Sequence, residues 1–187
     1  AASDVYKRQF MRMIGSYEPG ILDLIQYYMK TYTFKTKQEL QDAVDLWCEN
    51  RADALEKYGH ISYWDVSQIT DMSKLFQDAI EFNQPIGYWD VSSVTNMSYM
   101  FSEKFNQPIG DWNVSSVTNM SYMFYDARKF NQYIGDWDVS SLTDMGCMFY
   151  GAVSFNQPIG DWNVSKVTNM SYMFSDAKEF NQSIGDW

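Results

Sequence analysis

Apolar and polar residues along the last two thirds of this 187-residue chain follow a pattern that returns about every 25 residues. Each copy begins at a tryptophan, and the gaps between successive tryptophans are 25, 23, 25, 25 and 25 residues: Trp64, Trp89, Trp112, Trp137, Trp162 and Trp187. A fixed period in this range is typical of one supersecondary unit stacked on copies of itself. The pattern therefore predicts an array of stacked repeats.

Two spacings of apolar residues within each copy predict two elements. Trp162 and Val164 alternate around a polar residue, which is typical of a short strand with one buried face. Thr168 stands where a helix N-cap belongs, and helical spacing follows in Met170, Met173, Phe174, Ala177 and Phe180. We therefore predict an α/β fold, a leucine-rich-repeat-like solenoid of about five 25-residue strand-turn-helix units with an N-terminal helical cap.

Stacking is obligatory for such a repeat. One copy alone exposes a tryptophan, two valines, methionine, phenylalanine and isoleucine with nothing to cover them. Burying each such side chain is worth about 1.5–3 kcal/mol, whereas ordering each backbone residue costs roughly 1–2 kcal/mol. Neighbouring repeats must therefore supply the missing core, and we expect the indole rings to form a single buried column.

The chain divides into three predicted segments. Residues 34–63 are predicted to form the helical cap and the first strand, with a capping box at Thr36 and Glu39 and an apolar stripe of Leu40, Ala43, Val44 and Trp47. Residues 64–187 form the repeats, which we expect to be truncated at the C-terminus. Residues 1–33 are a lead-in, in which residues 4–9 are interpreted as a sequencing-adapter scar and excluded.

Charge and composition exclude several classes of function. The net charge is −10, and residues 64–187 carry fifteen acidic but only six basic side chains, so the basic stripe of a nucleic-acid-binding protein is absent. No apolar run reaches membrane-spanning length. Cys48 and Cys147 form neither a disulfide framework nor a metal site, and the single histidine, His60, cannot build a catalytic triad alone. We therefore predict no enzyme activity, cofactor or metal.

Polar side chains on either side of each tryptophan are the candidate binding face. If the Trp-x-Val segments are strands in register, these residues line up about 5 Å apart on the open face of a sheet. They could then hold a cationic partner or calcium, or form a solvated face. The candidate residues are Asp65, Tyr88, Asp90, Asp111, Asn113, Asp136, Asp138, Asp161 and Asn163.

Two further sets of residues recur on the repeat. An asparagine follows the second phenylalanine of every copy, and we favour an internal structural ladder over a ladder of ligand-binding amides: Asn83, Asn106, Asn131, Asn156 and Asn181. Tyrosines in the predicted helix offer either a contact surface for proteins or sugars or packing between neighbouring helices: Tyr99, Tyr122, Tyr125, Tyr150 and Tyr172.

The repeated unit F-N-Q-x-I-G-x-W-[DN]-V-S-x-V-T-[ND]-M-S-x-M-F-x-x-A resembles that of the BspA-like leucine-rich-repeat surface proteins, including the related repeats of Mycoplasma lipoproteins and Listeria surface proteins. More than a dozen positions recur in five copies, and the resemblance covers residues 61–187. It implies a cell-surface or secreted protein that mediates adhesion or protein interaction, with no cofactor and no catalytic motif.

We therefore expect a non-enzymatic, extracellular or cell-surface repeat module for adhesion, binding a protein or glycan partner. The alternative is a structural spacer or surface-layer element that projects another domain. A last repeat without a cap also predicts self-association through its uncovered face.

Overall fold

The computed structural model describes residues 30–185 and 187. Helix α1 spans Lys37–Glu49, helix α2 spans Arg51–Tyr58, and a single 3-10 turn follows at Ile61–Tyr63. At 13 and 8 residues, neither α-helix of the described chain is long or apolar enough to cross a bilayer. The segment predicted to form a cap is therefore a pair of short helices.

Local polar contacts set the bounds of these helices. The Thr36 hydroxyl accepts the N–H of Glu39 at 3.2 Å, and the Glu39 carboxylate reaches back to the N–H of Lys35 at 2.9 Å. Asn50 interrupts the helical path and starts α2 by accepting the N–H of Asp53. The predicted apolar stripe is buried, with Leu40, Ala43, Val44 and Trp47 no more than 2% exposed.

The rest of the chain winds through five coils, each of which starts at a tryptophan. Coils 1 to 5 are residues 64–88, 89–111, 112–136, 137–161 and 162–185. Equivalent apolar side chains of successive coils lie above one another in the core. Coils 1 to 4 bury these side chains almost completely: their tryptophans are 3–4% exposed, and the first phenylalanine of each coil is at most 2% exposed.

The aromatic rings form parallel columns through the stack. Trp137 and Trp162 have ring centroids 6.4 Å apart and an interplanar angle of 6°. The first phenylalanines of successive coils stack at 5.4–5.8 Å. Each indole N–H from Trp89 onward donates to a backbone carbonyl 26–28 residues earlier in the chain, as Trp137 does to Ile109 at 3.1 Å. The predicted buried tryptophan column is confirmed.

The prediction of an α/β strand-turn-helix solenoid is wrong. Among the described residues, the coils contain turns and isolated bridges but no α-helix and no strand. Single parallel bridges join successive coils instead, and they lie at Asp71–Asn96, Asn96–Asn119, Asn119–Asp144 and Asp144–Asn169. Within residues 30–185, α-helices are thus confined to the cap.

A left-handed residue explains why the predicted helix does not form. The eleventh residue of every coil has a φ of 53–64°, at Lys74, Tyr99, Tyr122, Cys147 and Tyr172. This conformation cannot continue a right-handed helix. The backbone donors also point to the next coil: Met120 N–H donates to Asp144 O at 2.9 Å, and Tyr122 N–H to Gly146 O at 2.9 Å. The Met-x-x-Met-Phe spacing therefore comes from tight turns of the backbone that point these apolar side chains into the core.

The predicted strand at Trp-x-Val is also wrong, because the backbone hydrogen bonds of that segment join residues three apart in the chain. In coil 4, the N–H of Leu142 donates to Val139 O at 2.9 Å, and the N–H of Trp137 donates to Ile134 O at the end of coil 3. Only Asp65 in this position joins a bridge, to Thr33 ahead of the cap helices. The open sheet face expected beside the tryptophans is therefore absent from the described coils.

Glycine allows the coils to approach closely. A Cβ added at Gly87, Gly110, Gly135 or Gly160 would lie 2.5–2.7 Å from a backbone carbonyl oxygen of the following coil. Real Cβ atoms essentially never come that close to another atom. The glycine after each isoleucine is therefore required by the spacing between coils.

The cap closes the first coil. Lys37 on α1 pairs with Asp71 at 2.9 Å, and Gln41 donates to Leu75 O at 3.2 Å. The Trp47 ring meets the first indole of the column, Trp64, edge-on at 5.9 Å. One end of the stack is thus covered by a helix, as predicted. The segment boundaries at residues 33 and 63 stay predictions, and residues 4–9 lie outside the described chain.

Candidate interaction surface

The residue after each tryptophan shapes a turn. Its side-chain oxygen accepts the N–H of the serine two residues later at 3.1–3.2 Å in Asp65, Asp90, Asn113, Asp138 and Asn163. Hydrogen bonds from the side chain and backbone of Ser140 lower the pKa of the Asp138 carboxyl. Four of the five residues remain exposed, and Asp65 is half-buried. These acceptors are thus partly occupied by their own coil.

The residue before each tryptophan is solvent-facing. Tyr88 is 74% exposed, and Asp111, Asp136 and Asp161 are exposed too. Asp136 accepts the hydroxyl of Tyr133 at 2.8 Å, and this contact raises the pKa of Tyr133. In the described part of the chain, no three His, Cys, Asp or Glu side chains come together to hold a metal ion. The candidate binding residues flank the tryptophans but form no sheet face.

The recurring asparagines form a ladder along the stack. Asn106 shows the pattern: its side-chain oxygen accepts the backbone N–H of Asn131 at 3.0 Å and the Gln132 amide at 2.9 Å. Asn83, Asn131 and Asn156 make the equivalent pair of bonds to the next coil. Asn181, in the last coil, donates its backbone N–H to Asn156. Four of these amides thus join neighbouring coils.

A second set of turn-forming residues was missed at the sequence level. The eighth residue of each coil accepts the N–H two residues on at 2.8–3.1 Å, and it also forms the parallel bridges: Asp71, Asn96, Asn119, Asp144 and Asn169. The signal was present, because Asx-x-Ser occurs twice in most repeats. The threonine before it was instead interpreted as a helix N-cap.

The only histidine has a local role. The His60 ring accepts the N–H of Ser62 at 3.3 Å and starts the 3-10 turn. Burial, with a smaller contribution from the Arg51 charge, lowers the pKa of His60. Its ring also meets Trp47 edge-on at 5.2 Å. The neutral imidazole is thus part of the junction between the cap and the first coil.

Four tyrosines on the outside of coils 2 to 4 contact one another; we call them the tyrosine cluster. Tyr99 and Tyr122 stack at 4.2 Å with an interplanar angle of 6°, and Tyr122 meets Tyr125 at 5.6 Å. Tyr125 stacks on Tyr150 at 5.2 Å. Tyr125 is 42% exposed, and the other three are half-buried. The cluster is a continuous aromatic surface across three coils.

The edges of the tyrosine cluster are polar. The Lys74 ammonium lies 5.8 Å from the centre of the Tyr99 ring. Contacts with Cys147 and Tyr99 raise the pKa of the Tyr122 hydroxyl. The Cys147 thiol is 8% exposed and free. The surface thus combines ring edges, hydroxyls and one cation on a stack of net negative charge.

Together, the stacked coils and their outward side chains define a repeat protein that presents a surface along a packed core. The chain belongs to the family described as Mycoplasma protein of unknown function, DUF285, whose model matches residues 41–145 and 103–187. The resemblance to Mycoplasma repeats is therefore confirmed at the level of the family. This match does not by itself identify a BspA-like leucine-rich-repeat protein. No curated protein and no solved structure matches the chain.

Proposed function

We propose that this chain is a non-enzymatic adhesion module of a cell-surface or secreted protein, and that it binds a protein or glycan partner through the tyrosine cluster. Membership of the Mycoplasma family is compatible with a surface protein. The resemblance of the repeat to BspA-like surface proteins supports the same location. The acidic stack fits neither nucleic acid nor an anionic membrane surface as the partner.

The observation that carries this proposal is that the fold does not require the clustered tyrosines. At the eleventh position of the coil, the stack accommodates Lys74 and Cys147 as well as tyrosine, with nearly the same backbone conformation. At the fourteenth position, Gln77 and Ser175 stand where Tyr125 and Tyr150 stand in coils 3 and 4. Side chains that the stack does not need, yet that meet on its outside, are available for recognition.

Tyrosines suit such a role for physical reasons. A tyrosine offers a large contact area with few rotatable bonds, so little conformational entropy is lost when it binds. Stacking within the cluster restrains the rings further, at centroid distances of 4.2 Å and 5.2 Å. Because the hydroxyls at the ring edges donate and accept hydrogen bonds, both polar protein surfaces and sugars are suitable partners.

The test is binding of the purified 187-residue chain to a glycan array and to an array of host surface proteins. The combined change Tyr125→Ala and Tyr150→Ala should weaken the strongest signal by about tenfold or more, as loss of interface anchors does. The matched control is Tyr63→Ala with Tyr133→Ala, two exposed tyrosines outside both the cluster and the candidate binding face. Equal losses in both variants, or no signal from the unchanged chain, would contradict the proposal.

The second candidate is a structural spacer or surface-layer element. The uniform hydrogen bonding between coils favours it, because ladders such as Met120 to Asp144 and Met145 to Asn169 repeat with nearly constant geometry. A spacer needs stiffness but no partner. Binding that depends on the tyrosine cluster supports adhesion, whereas a chain that binds neither array supports the spacer.

A further inference from the structure

Tyr125 and Tyr150 combine a stacked tyrosine partner with access to solvent, and we call them the surface pair. Tyr125 of coil 3 is 42% exposed, and its ring lies 5.2 Å from that of Tyr150 in coil 4 at an interplanar angle of 18°. The other exposed tyrosines of the described chain meet no second tyrosine ring: Tyr63, Tyr88, Tyr133 and Tyr172. Two phenols from neighbouring coils are thus held in contact at the surface.

Two phenols in contact are the reactants of oxidative coupling. A one-electron oxidant, such as a peroxidase with hydrogen peroxide, takes one electron and one proton from each phenol and leaves two phenoxyl radicals. The radicals pair in a new bond between ring carbons next to the hydroxyls, and the hydrogen on each of these carbons moves to the oxygen as the rings regain aromaticity. One hydrogen peroxide accepts the two electrons and two protons and leaves as two water molecules. The product, dityrosine, is two hydrogen atoms lighter than the two tyrosines.

The other tyrosine pairs are less suited to this reaction. Tyr99 and Tyr122 lie 4.2 Å apart, but both are half-buried, and the Tyr122 hydroxyl contacts the Cys147 thiol. A thiol beside a phenoxyl radical returns a hydrogen atom to it and so prevents coupling. In the cap, Tyr32 and Tyr58 meet edge-on at 84°, and Tyr58 is only 6% exposed. The surface pair is therefore the favoured site of coupling.

We propose that the surface pair is a site of oxidative cross-linking, at which a one-electron oxidant driven by peroxide joins Tyr125 to Tyr150 as dityrosine. The bond ties coil 3 covalently to coil 4. Contact within the fold gives the two phenols an effective concentration on the order of 1 mM or more, so at about 10 µM chain the coupling within one chain exceeds coupling between chains about a hundredfold. The reaction depends on the geometry of the pair and not on what the tyrosine cluster binds.

Treatment of the purified 187-residue chain with peroxidase and hydrogen peroxide tests the proposal. We expect dityrosine fluorescence and a chain that is two hydrogen atoms lighter, with chain-to-chain products about a hundredfold rarer. Trypsin cuts after Arg128 and Lys129, between the two tyrosines. The cross-link therefore appears as two joined peptides, and their fragment masses locate the bond.

A conservative variant separates the surface pair from the other tyrosines. Tyr125→Phe keeps the ring but removes the phenol, so it should abolish the joined peptides. The matched control is Tyr88→Phe with Tyr133→Phe, two exposed tyrosines without a tyrosine partner, which should leave their yield unchanged. The proposal is overturned if the unchanged chain gives no joined peptides or mainly chain-to-chain products. It is also overturned if the bond joins Tyr99 to Tyr122, or if both variants lose the product equally.

Discussion

Replacing Gly110 with alanine tests how closely the coils approach. A Cβ at this position would lie 2.6 Å from the backbone oxygen of Tyr133 in the next coil, about 0.8 Å short of the 3.4 Å at which ordinary contact begins. Because that atom belongs to the backbone, the coils must move apart, and the columns beside them lose contact. Such overpacking costs about 1–3 kcal/mol, and the smaller unfolded-state entropy of alanine offsets about 0.4–1 kcal/mol.

We therefore expect Gly110→Ala to lower the free energy of unfolding by about 1–2 kcal/mol. The matched control is Gly185→Ala, the same change at the same repeat position, where an added Cβ meets nothing within 4 Å. The control should be neutral or slightly stabilising. Chemical denaturation followed by tryptophan fluorescence measures both variants. Equal shifts in the two variants, or a stabilised Gly110→Ala, would refute the argument from close approach.

Three further changes probe the contacts within and between coils. Asn106→Leu should cost about 1–2 kcal/mol because it leaves the Asn131 N–H without its acceptor, whereas Asn106→Asp keeps that acceptor and should cost less in the same denaturation assay. Burial by itself raises the pKa of the Asp71 carboxyl, but its hydrogen bonds outweigh burial and lower that pKa. The unchanged chain should therefore be more stable than Asp71→Asn at neutral pH. This difference in stability should disappear as the pH falls below the ordinary value of 3.8 and through the lowered pKa. Cys147→Ala should bring the raised pKa of Tyr122 back toward the ordinary value of 10.0, which ultraviolet titration detects; an unchanged titration curve would exclude the thiol as a cause.

The period of the tryptophans was enough to predict the stack, because a 25-residue unit with so many apolar side chains has no other way to bury them. The cap was also predictable, since Thr36, Glu39 and the stripe from Leu40 to Trp47 are purely local signals. In both cases the deciding interactions lie either within one helix or between identical positions of successive repeats.

The secondary structure inside the coil was not predictable in the same way. The spacing of apolar residues from Met120 to Phe124 is compatible with a helix. In the structure, however, Tyr122 has a left-handed backbone conformation, the chain turns inward, and its N–H groups donate to carbonyls of the next coil. Hydrophobic periodicity reports which side chains point inward, and both a helix and a chain of tight turns satisfy it. The Asx-x-Ser motif at Asn119 was the better guide, because it specifies a turn.

The same distinction applies to the candidate surface. The predicted binding face depended on strands beside Trp-x-Val, so it lost its basis when those segments proved to be turns. The tyrosines were recognised as contact candidates, but their mutual contacts depend on which positions of neighbouring coils meet. That information is tertiary, and the stacking of Tyr125 on Tyr150 required the structure.

The central claim is that each tryptophan-led segment lies directly on the next, with the indoles in one buried column. Two-dimensional NMR of the 187-residue chain tests it, with Trp137→Phe and Trp162→Phe used to assign the signals. We predict nuclear Overhauser contacts between the Trp137 and Trp162 rings, whose centroids are 6.4 Å apart, and slow exchange of both indole N–H protons. Rapidly exchanging indoles with no contact between the two rings would contradict the stacked-coil fold.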